Sequence, residues 1–204
     1  MSEIPPLRRK KQPKATRAAM LAAADRLFSE QGFSATGLGA IVEAAGLTKG
    51  ALFHHFEDKA TLGLAWINEI IRSGMSRDWF EPLAEVASLE TLRALLRSRA
   101  EEMSGASPAS SLASISSEVS LTHAAHAEAC EGIYQEWRAA VASVLERGQA
   151  GGWIHPSIKA RNEAEFLVSS FTGLSVIIRC SPGVAPLRAF AAALDAYLDT
   201  LRLQ

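Results

Sequence analysis

Thr48, Lys49, Gly50, Phe53 and His54 lie within seven consecutive residues and carry the chemistry a polyanion needs. Lys49 supplies charge, while Thr48 and His54 supply hydrogen bonds. A second set, His123, His126 and Cys130, stands at i, i+3, i+7 and so can share a helical face with metal-ligand chemistry. A fourth ligand is not evident, so no metal is assigned; the same residues fit a polar ligand pocket, and Cys130 also fits a redox or electrophile sensor. No nucleophile elbow, P-loop or dinucleotide glycine fingerprint occurs, and no strand pattern exists to carry one. Neither an enzyme nor a cofactor is therefore expected.

The elements that must hold these residues read as helices throughout, with no period-two run long enough for a strand. The expected class is all-α. Leu21, Ala24, Leu27 and Phe28 form one stripe over about 16–31, stopped by Gly32. Thr36 is a candidate N-cap for a second helix bearing Leu38, Ile41, Val42 and Ala45, which Gly46 ends. Thr48 can cap a third over 49–56, whose Leu52 and Phe56 share its inner face at i, i+4. That leaves Thr48, Lys49, Gly50, Phe53 and His54 nearer the exposed N-terminal face, the layout of a helix-turn-helix whose third helix enters a DNA major groove.

A fourth helix starts at Asp58 and is expected to end near Gly74. Further helices are expected over about 89–103, after the Ser107-Pro108 cap (in a stretch from Ser104 to Ser117 holding seven serines), and along the stripe Ile133, Trp137, Val141, Val144, Leu145. Pro182 separates two apolar helices, about 162–179 and 185–202. In the last, Leu187, Phe190, Ala191, Leu194, Leu198 and Leu201 make a large-residue stripe, and Ala189, Ala192, Ala193 and Ala196 a second, small one. A helix apolar on two faces needs two covers, and the simplest second cover is another copy of the chain.

Charge is distributed unevenly over the 204 residues. The net charge is −1, yet residues 1–59 carry nine basic and six acidic side chains, and the first 20 residues alone are at +5. Such an arm, Arg8 to Arg17, suits a DNA backbone or minor groove. The longest uncharged apolar run, Phe166 to Ile178, has 13 residues, short of the ~20 needed to cross a membrane. No apolar segment follows the basic N-terminus, so no secretory signal is read. Cys130 and Cys180 lie far apart without a CxxC, consistent with a reduced cytoplasm.

The sequence resembles the TetR family of bacterial transcriptional regulators. The likeness rests on Thr16-Arg17, then Ala23-Ala24, Leu27-Phe28, Gly32-Phe33 and Thr36. It continues through the run from Ile41 to Gly50, then Leu52 to Phe56 and Lys59. It covers about 45 residues; beyond them the match is one of length, helicity and apolar C-terminal helices. The resemblance implies an N-terminal three-helix DNA-binding domain (1–57) and an all-helical ligand-sensing and dimerisation domain (58–204). It also implies a homodimer joined through the last two helices, and most such proteins are repressors released by a small molecule. Arg17, Thr36, Thr48, Lys49, Gly50, Phe53, His54 and Lys59 are then the expected contacts to double-stranded operator DNA, and Phe166, Leu174, Leu187, Phe190, Leu194 and Leu198 the expected dimer interface. Three departures stand out. Phe53 replaces a common tyrosine, Gly37 and Gly39 replace larger side chains at the start of the second helix, and Val42 replaces alanine.

After residue 75, Trp79, Phe80, Met103, Tyr134, Trp137 and Phe171 alternate with His123, His126 and Cys130, the mixture that lines many pockets. A small, largely apolar effector is expected there, although core packing would use the same aromatics. The alternative is a DNA-binding organiser on the same fold, with a filled core and no effector.

Overall fold

The computed structural model describes residues 13–103, 107–119, 123–181 and 183–203. Most of the basic arm, Arg8 to Lys11 included, lies outside the described residues, as do Ser104 and the helix-breaking Pro182. Nine helices are described: α1 (Pro13–Gln31), α2 (Leu38–Ala44), α3 (Lys49–His55), α4 (residues 59–84), α5 (Leu89–Glu102), α6 (Pro108–Val119), α7 (Ala124–Ala150), α8 (Ala160–Cys180) and α9 (Val184–Thr200). Among the described residues the only β-type pairing is a single antiparallel bridge between Ile154 and Arg202.

The first three helices follow from caps and stops in the sequence. Gly32 ends α1 at φ +90 and Gly46 follows α2 at φ +64, left-handed conformations that favour glycine. Thr48 Oγ1 accepts from the Ala51 amide at 3.2 Å to cap α3, and Asp58 accepts from the Thr61 amide at 2.7 Å to cap α4. Thr36 differs from expectation. The residue at the N-cap of α2 is Gly37, with no side-chain cap, because the Thr36 hydroxyl points the other way, donating to the carbonyls of Gly32 (2.8 Å) and Leu27 (3.3 Å).

The fourth helix does not stop at Gly74. It runs on to Ala84 through two π-helical stretches, Trp66–Ile71 and Ser76–Phe80. Gly74 serves a contact instead: a Cβ there would stand 2.5 Å from Pro108 Cγ, so its absence lets α6 press against α4. Pro82 is tolerated because the carbonyl that its missing N–H would have engaged finds another donor. Asp78 O accepts from Arg99 Nη1 of α5 at 3.3 Å.

The C-terminal helices pack around a core containing Trp66, Trp79, Trp137 and Phe171. Ser88 and Thr91 close a capping box at the start of α5. Arg93 and Arg97 reach from α5 to Asp195 and Asp199 of α9, which fixes the last helix against the bundle. Among the described residues no helix is long and apolar enough to cross a membrane.

Candidate functional site

The helix-turn-helix is built on buried side chains from all three of its helices. Met20, Ala24, Leu27 and Phe28 of α1, Ile41 and Val42 of α2, and Leu52 of α3 with Phe56 just beyond it form one apolar unit. Burying Leu52 and Phe56 turns the opposite face outward. Thr48, Lys49, Gly50, Phe53 and His54 are all exposed there, with Phe53 56% exposed. The Phe53 ring is thus not a core residue; it offers an apolar face to a partner but no hydroxyl to a phosphate. The glycines at 37 and 39 meet no atom within 4 Å where a Cβ would stand, so that edge of α2 is open space.

Three expected DNA contacts have other partners in the fold. Thr36 is 1% exposed, its hydroxyl spent on two carbonyls, and it cannot present that group to DNA. Arg17 chelates Glu69 of α4 with both Nη atoms and lies 5.1 Å over the Phe56 ring, so it ties α1 to α4. That hydrogen bond holds the Glu69 carboxyl below, and the Arg17 guanidinium above, its ordinary value. Lys59 Nζ donates to Ser34 O at 3.0 Å and sits 4.7 Å from the Phe33 ring centroid; partial burial lowers its pKa. Arg17 and Lys59 thereby tie α1 and its following turn to α4, whereas Thr36 closes the end of α1.

These ties belong to a clamp the sequence did not reveal. The turn 32–36 between α1 and α2 is gripped by Glu118 of α6, which accepts from the amides of Phe33 (3.1 Å) and Ser34 (2.6 Å). Phe33 packs among Phe28, His123 and His126 at centroid distances of 5.1, 6.0 and 5.7 Å. Behind it Gly63 of α4 leaves no room for a Cβ, which would be 2.5 Å from Phe33 Cε2 and 3.0 Å from His126 Nε2. A second tie joins Asp25 of α1 to the indole of Trp66 in α4 at 2.8 Å. Helices α4, α6 and α7 are therefore all packed against the helix-turn-helix.

This placement corrects the reading of His123, His126 and Cys130. The two imidazoles face Phe33, whereas Cys130 is buried against Ser116, and burial pushes its thiol pKa up, away from the thiolate a reactive sensor needs. Among the described residues no three His, Cys, Asp or Glu side chains converge on one point. Burial, and after it the neighbouring His123, hold the His126 pKa below the usual histidine value. The unfolded chain therefore binds this proton more readily than the folded one. Stability from this residue is present above the ordinary pKa of ~6.5 and declines as pH falls through it. Thermal melts at pH 7.5 and 5.5 should show a lower midpoint at pH 5.5, and His126→Gln should shrink the difference; an equal difference in the variant would assign it to other groups.

The expected effector-lining residues divide three ways. Trp79, Trp137 and Phe171 pack on one another, with centroids 4.4 Å apart for the first pair and 4.9 Å for Trp79 and Phe171, and they fill the core rather than a pocket. Trp137 Nε1 is buried with no hydrogen-bond partner among the described residues. Tyr134 borders a small recess with Arg138, Glu165 and Thr172. Met103 alone of the expected set lines a cavity of about 760 Å³, which lies between the end of α1, the ends of α5 and α8 and the beginnings of α6 and α9. Ser29, Ile178, Arg179, Leu187 and Arg188 share that wall, and the sequence pattern singles out none of them for a ligand.

The expected dimer face is also redistributed. Leu174, Leu194 and Leu198 are buried within the chain itself, Leu198 fully, because the large stripe of each terminal helix turns to the core. Leu187 borders the cavity, and Phe190 meets Phe171 edge to face with centroids 5.1 Å apart. Phe166 does remain outward, joined by Val176 and Ile177 on α8, the last 54% exposed. Gly173 on α8 and the small residues Ala189, Ala192, Ala193 and Ala196 on α9 are exposed as well.

An exposed third helix held by two others, joined through a fourth to a larger helical domain, is the architecture of a helix-turn-helix DNA-binding regulator. Profile comparison gives the family. The profile described as bacterial regulatory proteins, tetR family, matches residues 20–65, and that of the BetI-type transcriptional repressor C-terminal domain matches residues 109–203. The HTH-type transcriptional regulator LmrA of Bacillus subtilis is 30% identical over 174 residues, covering 74% of this chain and 91% of LmrA. The HTH-type transcriptional regulator AcrR of Shigella flexneri is 51% identical over 53 residues, so the match spans 26% of this chain and only 25% of AcrR. The crystal structure of a TetR transcriptional regulator from Chloroflexus aurantiacus superimposes with a TM-score of 0.82 at 26% identity, over 96% of this chain and 100% of that one. The chain belongs to the TetR family of transcriptional regulators.

Proposed function

We propose that the protein is a homodimeric repressor that binds a palindromic operator and leaves it when a small molecule enters its C-terminal domain, with residues 1–57 as the DNA-binding part and 58–204 as the sensor. The observation that carries the DNA reading is the face of α3. Thr48, Lys49, Gly50, Phe53 and His54 are exposed together while Leu52 and Phe56 anchor the opposite side. Two such helices in a two-fold dimer would meet two half-sites about one helical turn apart. The outward apolar residues Phe166, Val176 and Ile177, flanked by the small residues of α9, support self-association through α8 and α9, because a soluble surface seldom leaves such a patch uncovered.

The cavity supports the effector reading over the filled-core alternative, since its walls come from five helices including α1. An effector acts only by binding one spacing of the recognition helices better than another, and operator DNA must in turn weaken effector binding by the same factor. Fluorescence anisotropy with fragments of the chain's own promoter region, titrated with salt, tests the DNA reading. The wild type should select a two-fold symmetric fragment. Lys49→Ala should reduce the salt slope by about one unit for the lost phosphate contact. A slope and affinity unchanged in the variant would remove Lys49 from the interface.

A further inference from the structure

The charge in the wall of the large cavity indicates what it would hold. Nine arginines elsewhere in the chain are paired with carboxylates. Four described arginines, Arg147, Arg161, Arg179 and Arg188, have no carboxylate partner among the described residues, and two of them, Arg179 and Arg188, border the cavity. Arg179 Nη1 donates to Ser114 Oγ at 2.6 Å and its Nη2 to Ser29 O at 2.8 Å, both neutral acceptors. Glu101 also borders the cavity without pairing with either, so among the described residues the lining carries one net positive charge. The remaining wall is largely apolar, supplied by Ala100, Met103, Ile178 and Leu187. A volume of about 760 Å³ lies within the range of small-molecule sites.

We propose that this cavity binds a monoanionic amphiphile of the alkyl carboxylate type, its charged end on Arg179 and Arg188 and its apolar body against Met103, Ile178 and Leu187, and that Arg179 relays occupancy to the DNA-binding helices. The proposal rests on the reading of the C-terminal domain as a sensor and adds the chemical class and the relay. A guanidinium presents a planar fork that a carboxylate engages with two charge-assisted bonds, stronger than those to a hydroxyl or an amide carbonyl. Ser29 lies in the last turn of α1, so drawing Arg179 toward a carboxylate releases α1 from α8 at the point where the two domains meet.

Calorimetry on the full chain without DNA tests the class, using decanoate, decanol and decyltrimethylammonium as probes. Decanoate should bind once per chain, and the neutral and cationic probes at least about tenfold more weakly, as expected when a charge-assisted pair is lost. Arg188→Gln, on an exposed position, should weaken decanoate about tenfold with its melting midpoint unchanged; Arg179→Gln should weaken decanoate by a similar factor and, having lost its bonds to Ser29 and Ser114, lower the midpoint. Equal binding of the three probes, or wild-type affinity for decanoate in Arg188→Gln, would overturn the class. Anisotropy on operator DNA tests the relay. Decanoate at a concentration that calorimetry shows to saturate each protein should lower DNA affinity in the wild type and leave Arg179→Gln unmoved; an unmoved wild type, or a saturated variant that responds like the wild type, would overturn the relay. Because the calorimetry contains no DNA, a failed operator interaction and a failed ligand class give separate signatures.

Discussion

Ile177→Glu is expected to yield folded monomers, whereas Leu198→Glu is expected to unfold the C-terminal bundle. Both residues lie on the two terminal helices, and the family resemblance places Leu198 in the subunit interface. In the structure Leu198 is fully buried inside the chain, facing the core from α9, while Ile177 is 54% exposed on the outer face of α8. A carboxylate in place of Leu198 loses the burial of a leucine side chain and must be desolvated or protonated, together about 3–5 kcal/mol, a large part of the stability of a domain of this size. The same carboxylate at Ile177 meets water in the monomer. In a dimer closed through this face each carboxylate is desolvated, and the two-fold axis doubles the cost. Sedimentation combined with circular dichroism separates the outcomes: helical monomers for Ile177→Glu, and lost or strongly destabilised helicity for Leu198→Glu. An intact dimer in Ile177→Glu would move the interface off α8.

Gly63→Val should lower the melting midpoint by several degrees and weaken operator binding about tenfold. A Cβ at this position stands 2.5 Å from Phe33 and 3.0 Å from His126, so the turn 32–36 or helix α7 must move aside. Overpacking of this kind costs about 1–3 kcal/mol. The displaced turn leads directly into α2, which holds α3, so the error is carried to the DNA-reading face. Gly39→Ala provides the contrast. It lies within α2, meets nothing within 4 Å, and should leave stability unchanged or raise it slightly because alanine favours the helix. Thermal melts and anisotropy on both variants check the pair; equal effects would mean that the glycine at 63 serves no close contact.

Much of the helix-turn-helix is local and was legible for that reason. Its ends are set by Gly32, Gly46 and Thr48, its inward face by the spacing of Leu52 and Phe56, and its exposed face by what those two leave over. Periodicity likewise located α5, α8 and α9 within a few residues and the Ser107-Pro108 cap the start of α6, but the stripe from Ile133 missed the first two turns of α7, which begins at Ala124. It overestimated Gly74 as a stop, because a glycine that admits Pro108 from another helix looks the same in sequence as one that ends its own. It also could not foresee that Arg99, 21 residues away, would take the Asp78 carbonyl that Pro82 leaves free.

The sequence by itself determined the all-helical class, the helix-turn-helix and the presence of two apolar faces on the last helix, since each depends on residues within a few turns of one another. Only the tertiary structure decided which face each one buries and what each polar group meets. An apolar stripe has the same period whether it turns to the core or to a partner, so Leu198 and Ile177 could be told apart only by their surroundings. Ser29 and Arg179, 150 positions apart, meet only when α1 and α8 are packed, and the same holds for Glu118 and the turn at Phe33. Long-range pairing of this kind has no spacing to read, because it is fixed by how helices pack and not by the order of residues along any one of them.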